Sequence, residues 1–331
     1  MSILWGAFHT TKEAQNETQP HVGPSGTVLT WDGRLDNRLE LIRHFRNSLS
    51  RDASDVLIVA ASFRRWGVGC FAKLIGDWAL SLWIPSERCL LLATDPIGTH
   101  NLFYTREKNS VSWSTILEPL VLVRHKTAEL EEEYIAGWLS TFPAPHLTPY
   151  VGIRSVAPAT YVCIEPTRET ITTYWDFDPE KAIRYQTDAQ YEEHFRAVFA
   201  DSVERRLRSD RPILAELSGG MDSSAIVCVA DDLQARGYGE TPRLDTVSYF
   251  DDSEPNWNER PYFTKVEEKR GRSGSHIDIG KEKCFDCGAL ANLFQAIPGS
   301  RHTSVSETAR EFSACLEANG NRVVLSGIGG D

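Results

Sequence analysis

The sequence predicts two successive domains of different class: an α+β sandwich over residues 1–178, then an α/β domain with a parallel sheet over 188–331. Three observations predict this. At 331 residues the chain exceeds the ~250–300 residues that one core usually serves. Its first half reads as short strands between turns, and its second half as strands alternating with helices. The change of rhythm falls near 176–190, in "DFDPEKAIRYQTD", which suits a linker.

In the first half, "GTVLTWDGRL", "WALSLWI", "CLLLATD", "NLFYTRE", "SVSWST" and "TYVCIEP" are β-branched or aromatic runs. Asp-Gly, Pro-Ser, Ile-Gly and Lys-Asn pairs separate them as turns. Two helical patterns interrupt the strands. "DASDVLIVAASFRRWG" has an Asp/Ser start and a terminal Gly, and "AELEEEYIAGWLS" opens on acids that suit a helix dipole. Trp66, Trp78 and Trp83 sit in apolar patterns and are expected in the core.

The second half opens on "DAQYEEHFRAVFADSVERRLRSD". Tyr191, Phe195, Val198 or Phe199, Val203 and Leu207 mark one face of a long helix. Strands follow in "RPILAELS", "RLDTVSYF", "SHIDI" and "RVVLS". Between them come helices in "DSSAIVCVADDLQARG" and "NERPYFTKVEEKRG", near 288–297 and over 306–319. That alternation means βαβ units and a parallel sheet. No internal repeat is visible.

Composition excludes several function classes. No tract of ~18 apolar residues is present, so no spanning helix is expected. The start "MSILWGAFHTTKEAQ" lacks the basic and apolar regions of a secretory signal, and a cytoplasmic location follows. A formal charge of -11 with no basic run argues against nucleic acid. The seven cysteines lie mostly in apolar contexts and read as reduced thiols. Cys284-Phe285-Asp286-Cys287 could be half a zinc site or a redox pair, but no second ligand pair accompanies it. The nine histidines show no metal-ligand spacing and read as surface or capping residues.

The most informative string is "LSGGMDSS", Leu217 to Ser224, where the first parallel strand meets its helix. Ligands of open α/β sheets bind at the carboxyl ends of strands. Gly219 and Gly220 let backbone amides approach an anion, and Ser218, Ser223 and Ser224 add hydroxyls beside a helix N-terminus. Asp222, a carboxylate where a phosphate would sit, makes sense with Mg²⁺ between the two anions. Neither a Gly-Lys-Ser/Thr loop nor GxGxxG is present. Asn258-Glu259, after a strand and loop, is a weaker site candidate.

On these residues the chain resembles the asparagine synthetase family, including β-lactam synthetases and lasso-peptide cyclases. "SGGMDSS" is similar to the family's pyrophosphatase-type ATP loop. "DGRLDN", "LIGDWALSLW", "LLLATDPIGTHNLFY", "VGIRSVAPATYVCIEP" and "YWDFDP" resemble landmarks of its amidotransferase domain, and "LSGIGGD" its second nucleotide loop. The resemblance implies a class II glutamine amidotransferase-like domain of N-terminal-nucleophile type. An incomplete PP-loop domain, like the adenine nucleotide α hydrolases, would follow. It also implies that the chain breaks off inside the synthetase domain, whose substrate-choosing residues would lie beyond it.

The implied chemistry uses ATP and Mg²⁺. A carboxylate is adenylated with loss of pyrophosphate, and an amine then displaces AMP. Asp222 and Asp331 would hold Mg²⁺, Leu217 and Val247 would meet adenine through their backbones, and Ser326 and Gly327 would lie beside the ribose or α-phosphate. A small-molecule or peptide carboxylate and an amine are the implied partners, with a homodimer or a separate C-terminal half left open.

Glutaminase action is expected to be lost. The family's Cys-Gly-Ile start aligns with Trp5-Gly6-Ala7, Asp32-Gly33 replaces its Asn-Gly, and Ile75-Gly76 replaces its Asp-Gly. A carboxylate at the oxyanion site would repel the developing charge. The rival readings are a non-catalytic truncated or split member, a glutamine-hydrolysing asparagine synthase, and another loop-type ATP pyrophosphatase.

Overall fold

The computed structural model describes residues 2–108, 110–124, 129–254, 258–281 and 307–328. The chain folds as two compact units that change over between Lys181 and Ala182, the second also taking in Phe8–Lys12. Among the described residues no helix is long and apolar enough to cross a membrane.

The first unit holds β1 (His21–Val22), β2 (Val28–Leu35), β3 (Gly76–Ile84), β4 (Cys89–Thr94), β5 (Phe103–Glu107), β6 (Ser110–Ser114), β7 (Arg154–Ser155), β8 (Thr160–Ile164) and β9 (Glu169–Thr173). A six-stranded antiparallel sheet runs β1-β2-β3-β4-β8-β9, and a three-stranded one runs β6-β5-β7. All six residues of β4 are buried, because apolar layers cover both faces of the larger sheet at its centre.

One layer is built on α2 (Asp55–Trp66), whose Val56, Ile58 and Val59 pack with Trp31, Trp78, Leu80 and Leu82. Gly67, at φ 56°, ends the helix. The shorter α1 (Arg38–Arg43) adds Leu41 and Ile42. Opposite, Ala79, Leu90, Leu92 and Val162 meet Leu102 and Tyr104 at the smaller sheet. Trp78 is wholly buried, and truncating such an aromatic costs ~3–5 kcal/mol. Trp66 and Trp83 pack only half-buried. The unit also contains α3 (Leu117–Val123) and α4 (Glu132–Leu139).

The second unit begins with α5 (Asp188–Arg206), opened by a capping box between Thr187 and Gln190. Then follow β10 (Ile213–Glu216), α6 (Met221–Ala235), β11 (Leu244–Phe250), α7 (Arg260–Arg270), β12 (Ser275–Asp278), α8 (Glu307–Asn319) and β13 (Val323–Leu325). The four strands are parallel in the order β12-β11-β10-β13. Val203, Ala215, Leu217, Val227, Ala230 and Phe263 form the core on one face of the sheet. Leu214, Val247 and Ile277 pack with Phe312 and Leu316 of α8 on the other.

The apolar face read along α5 is only partly used. Val203 and Leu207 are buried, while Tyr191, Phe195 and Val198 stay exposed, Phe195 by 70%. Only the C-terminal turns of that helix reach the core around β10. The segment expected to be helical near 288–297 and the Cys284–Cys287 pair lie outside the described residues.

Candidate functional site

The turn from β10 into α6 is held by its own hydroxyls. Ser223 Oγ accepts from the Ser218 amide at 3.2 Å and lies 2.9 Å from Ser218 Oγ, which in turn accepts from the Gly220 amide at 3.2 Å. Gly220 is the N-cap of α6, so Asp222, Ser223 and Ser224 fall in its first turn, where helix amides and the helix dipole favour an anion. Gly219 has φ +86°, and a Cβ there would lie 2.5 Å from the Phe263 nitrogen and from Tyr262 Cβ. Glycine is therefore required twice over, by conformation and by the close approach of α7.

β10 is flanked by β11 and β13, which brings the loop after β13 onto the same turn. A Cβ on Gly327 would lie 3.1 Å from the Ser223 nitrogen and 3.4 Å from Asp222 Cβ. Ser326 is exposed and its Oγ accepts from the Ile328 amide at 3.2 Å. The two glycine strings, over a hundred residues apart, thus share one edge of the sheet. Asp331 lies outside the described residues.

Leu217 and Val247 are buried, and their backbones are already engaged. The Leu217 amide donates to the Val247 carbonyl at 2.8 Å, and the Leu217 carbonyl accepts from Ser248 Oγ at 2.6 Å. A ligand at these carbonyls would have to use their second lone pairs. Ser248, wholly buried, has no signal in the sequence beyond its place on a strand. Ser224 Oγ is a buried hydroxyl without a partner among the described residues. Asn258 and Glu259 sit at the start of α7, next to the helical turn that backs Gly219; burial raises the Glu259 carboxyl above its usual range. Among the described residues no group of three or more His, Cys, Asp or Glu is placed to hold a metal.

In the first unit, Asp32 and Gly33 lie on β2, with Gly33 opposite Trp78 and Leu35 opposite Gly76. Gly33 (φ +153°) and Gly76 (φ +144°) are packed so tightly across the strand pair that a Cβ on either would strike the partner backbone. Ile75 stays half-exposed, its amide donating to Asn37 Oδ1 at 3.1 Å. The Asp32 carboxylate pairs with His100, Oδ1 to Nδ1 at 3.6 Å. That contact, helped by Asp77 and Asp95 and opposed by burial, raises the His100 pKa above its ordinary 6.5. Asp95 in turn accepts from the amides of Ile97, Gly98, Thr99 and His100, which fixes the loop carrying the imidazole. A separation of 68 positions between Asp32 and His100 hides this pair in the sequence.

Comparison with known proteins agrees with both halves. The family profile described as "Glutamine amidotransferase domain" matches residues 10–175, and that described as "Asparagine synthase" matches 194–331. "Asparagine synthetase [glutamine-hydrolyzing] 3" of Bacillus subtilis is 26% identical over 325 residues, covering 90% of this chain and 52% of that protein. "Amidase chyE" of Penicillium rubens is 28% identical over 317 residues, 87% of this chain and 44% of its own. The chain thus spans about half the length of these relatives. A B. subtilis glutamine phosphoribosylpyrophosphate amidotransferase structure aligns over 94% of this chain and 75% of its own, at 13% identity and TM-score 0.34. With an amidotransferase domain followed by an asparagine synthase domain, the chain belongs to the asparagine synthetase family.

Proposed function

We propose that this chain carries the nucleotide loops of an ATP-dependent amide-bond-forming ligase, which activates a carboxylate by adenylation and passes it to an amine. The observation that carries the reading is the turn from Ser218 to Ser224. It joins hydroxyls, amides and a helix N-terminus to a carboxylate at the edge of a parallel sheet, with the Gly327 loop packed on it. A PP-loop architecture accounts for that combination. The donor set fits a phosphate chain: Ser224 Oγ is an orphan, and the loop offers no Lys or Arg, so charge balance falls to a cation beside Asp222. Mg²⁺ held by Asp222 and Asp331 would supply that balance for the leaving pyrophosphate. Leu217, Val247, Ser326 and Gly327 would border the nucleoside.

The first domain, an N-terminal-nucleophile sandwich in this reading, serves as a scaffold without glutaminase action. Trp5 stands in the nucleophile slot, and Asp32, paired with His100, puts a carboxylate where an oxyanion would develop. An internal or peptide amine, or free ammonia, then serves as nucleophile. ATP dependence and reduced thiols suit the cytoplasm, Cys70, Cys89, Cys163, Cys228 and Cys315 being free.

The test is pyrophosphate release from ATP across a panel of carboxylates and amines, with glutamine as a separate donor. The reading expects release that requires a carboxylate, and no glutamate from glutamine. Release indifferent to carboxylate, or glutamine hydrolysis lost on Ser2→Ala, would overturn the corresponding half.

A further inference from the structure

A second cluster of polar groups lies in the first unit and takes no part in the ligase reading. A cavity of about 540 Å³ opens between the turns that follow α1 and the C-terminal half of α2. Arg43 and Arg46 line it from one side and Arg64 and Arg65 from the other, with His44 and Ser48 between. No Asp or Glu is in the lining. None of the four arginines forms an ion pair with another described residue. Over 38–73 the chain carries seven Lys or Arg against three Asp or Glu, although the whole chain is at -11.

The two arginine pairs are brought together by aromatic packing. Phe45, nearly buried, sits 5.4 Å from the Trp66 ring, and His44 meets the same ring edge-on at 5.3 Å. Arg65 also lies over Trp66, 5.6 Å from its centroid. The end of α1 is thereby pinned to the end of α2. The ordinary reason for basic residues here is the helix dipole, which favours cations in a last turn. That explains Arg43, Arg64 and Arg65 one at a time. It does not explain Arg46, or why four arginines line one hollow with no carboxylate among them.

We propose that Arg43, Arg46, Arg64 and Arg65 form a binding site for the phosphoryl groups of a small molecule, separate from the nucleotide loops of the second unit. Planar guanidinium forks bind phosphate oxygens in pairs, and several converging forks match a multivalent anion. The hollow is open and all four arginines are exposed, so an anion held there would keep one side in water. A long nucleic acid fits less well, since the strong net negative charge of the chain repels an extended polyanion. The arginines stand about twenty residues apart in two pairs, so no basic run announces them.

The experiment is calorimetric titration of the full chain with inorganic tripolyphosphate and, separately, ADP. EDTA keeps the Mg²⁺-dependent loop silent. We expect both to bind, with affinity that falls steeply as salt rises, and the Arg46→Ala/Arg64→Ala variant to weaken binding by about tenfold or more. Asp222→Ala should bind as the unaltered chain does, which keeps this outcome separate from the fate of the ligase reading. Equal affinity for the two probes would identify the ligand by phosphate alone, and a preference for ADP would identify a nucleotide. Both side chains are exposed, so circular dichroism should show an unchanged fold. No binding by either probe, binding indifferent to the double substitution, or displacement by a single-stranded RNA better than by either probe would overturn the proposal.

Discussion

Gly327 rests on Ser223: a Cβ on the glycine would lie 3.1 Å from the serine's backbone nitrogen. The loop after β13 is therefore in contact with the first turn of α6. The parallel order β11-β10-β13 enforces this meeting, because both loops leave the same edge of the sheet. Gly327→Ala asks its neighbours to give by only a few tenths of an ångström. It should cost under ~1 kcal/mol of stability while disturbing the loop contact.

Gly219 is more demanding. Its φ of +86° and the 2.5 Å approach of Phe263 both exclude a side chain. Gly219→Ala should lose about 1–3 kcal/mol from conformation alone, and more from the forced retreat of α7. Urea unfolding of the two proteins checks this, and an unchanged midpoint would show that α7 does not press on the loop.

Ser248 holds the other side of the site. Its buried hydroxyl donates to the Leu217 carbonyl at 2.6 Å, so Ser248→Ala should cost about 1 kcal/mol. It should also loosen the backbone entering the serine turn. Faster amide hydrogen exchange at Leu217 to Gly220, with the remaining sheet unaffected, is the expected signature.

The Asp32–His100 pair gives a pH dependence of known sign. Hydrogen bonding to Asp32 raises the imidazole pKa, with Asp77 and Asp95 adding to the effect. A raised folded value means that the protonated imidazole stabilises the fold below the ordinary 6.5, and that this contribution disappears as pH rises through the higher folded value. Asp32→Asn should lower the His100 pKa toward 6.5, as read by NMR titration of the ring. A titration midpoint unmoved by the substitution would mean that Asp77 and Asp95 carry the effect.

Much of the fold is legible in the sequence because the patterns are strong. "WALSLWI" and "CLLLATD" lie at the centre of the larger sheet, where burial on both faces permits continuous apolar runs. The helices following "LSGGMDSS" and "NERPYF" carry their start signals in the chain, as Gly220 and as Pro261 in the first turn. By contrast α1 and α3 span only six and seven residues, too short to display a helical period. The apolar spacing along α5 outruns the core: Phe195 and Tyr191 continue the spacing of Val203 but extend beyond the core that Val203 fills.

The candidate site divides in the same way. Gly219, Gly220, Asp222 and the serines are contiguous, so their chemistry shows in one string. Ser248, the backing by Tyr262 and Phe263, and the partner of Asp32 exist only after strands are paired and helices packed. The four arginines of the cavity follow the same rule, since two of them sit on the far side of a turn and a helix from the others.

The most direct test of the account is titration of ATP into the chain with and without Mg²⁺, in parallel with Asp222→Ala. We predict Mg²⁺-dependent binding that Asp222→Ala abolishes while its circular dichroism and unfolding midpoint stay as they were. Mg²⁺-dependent ATP binding of equal affinity in both proteins would contradict the assignment of the Ser218–Ser224 turn as the nucleotide site.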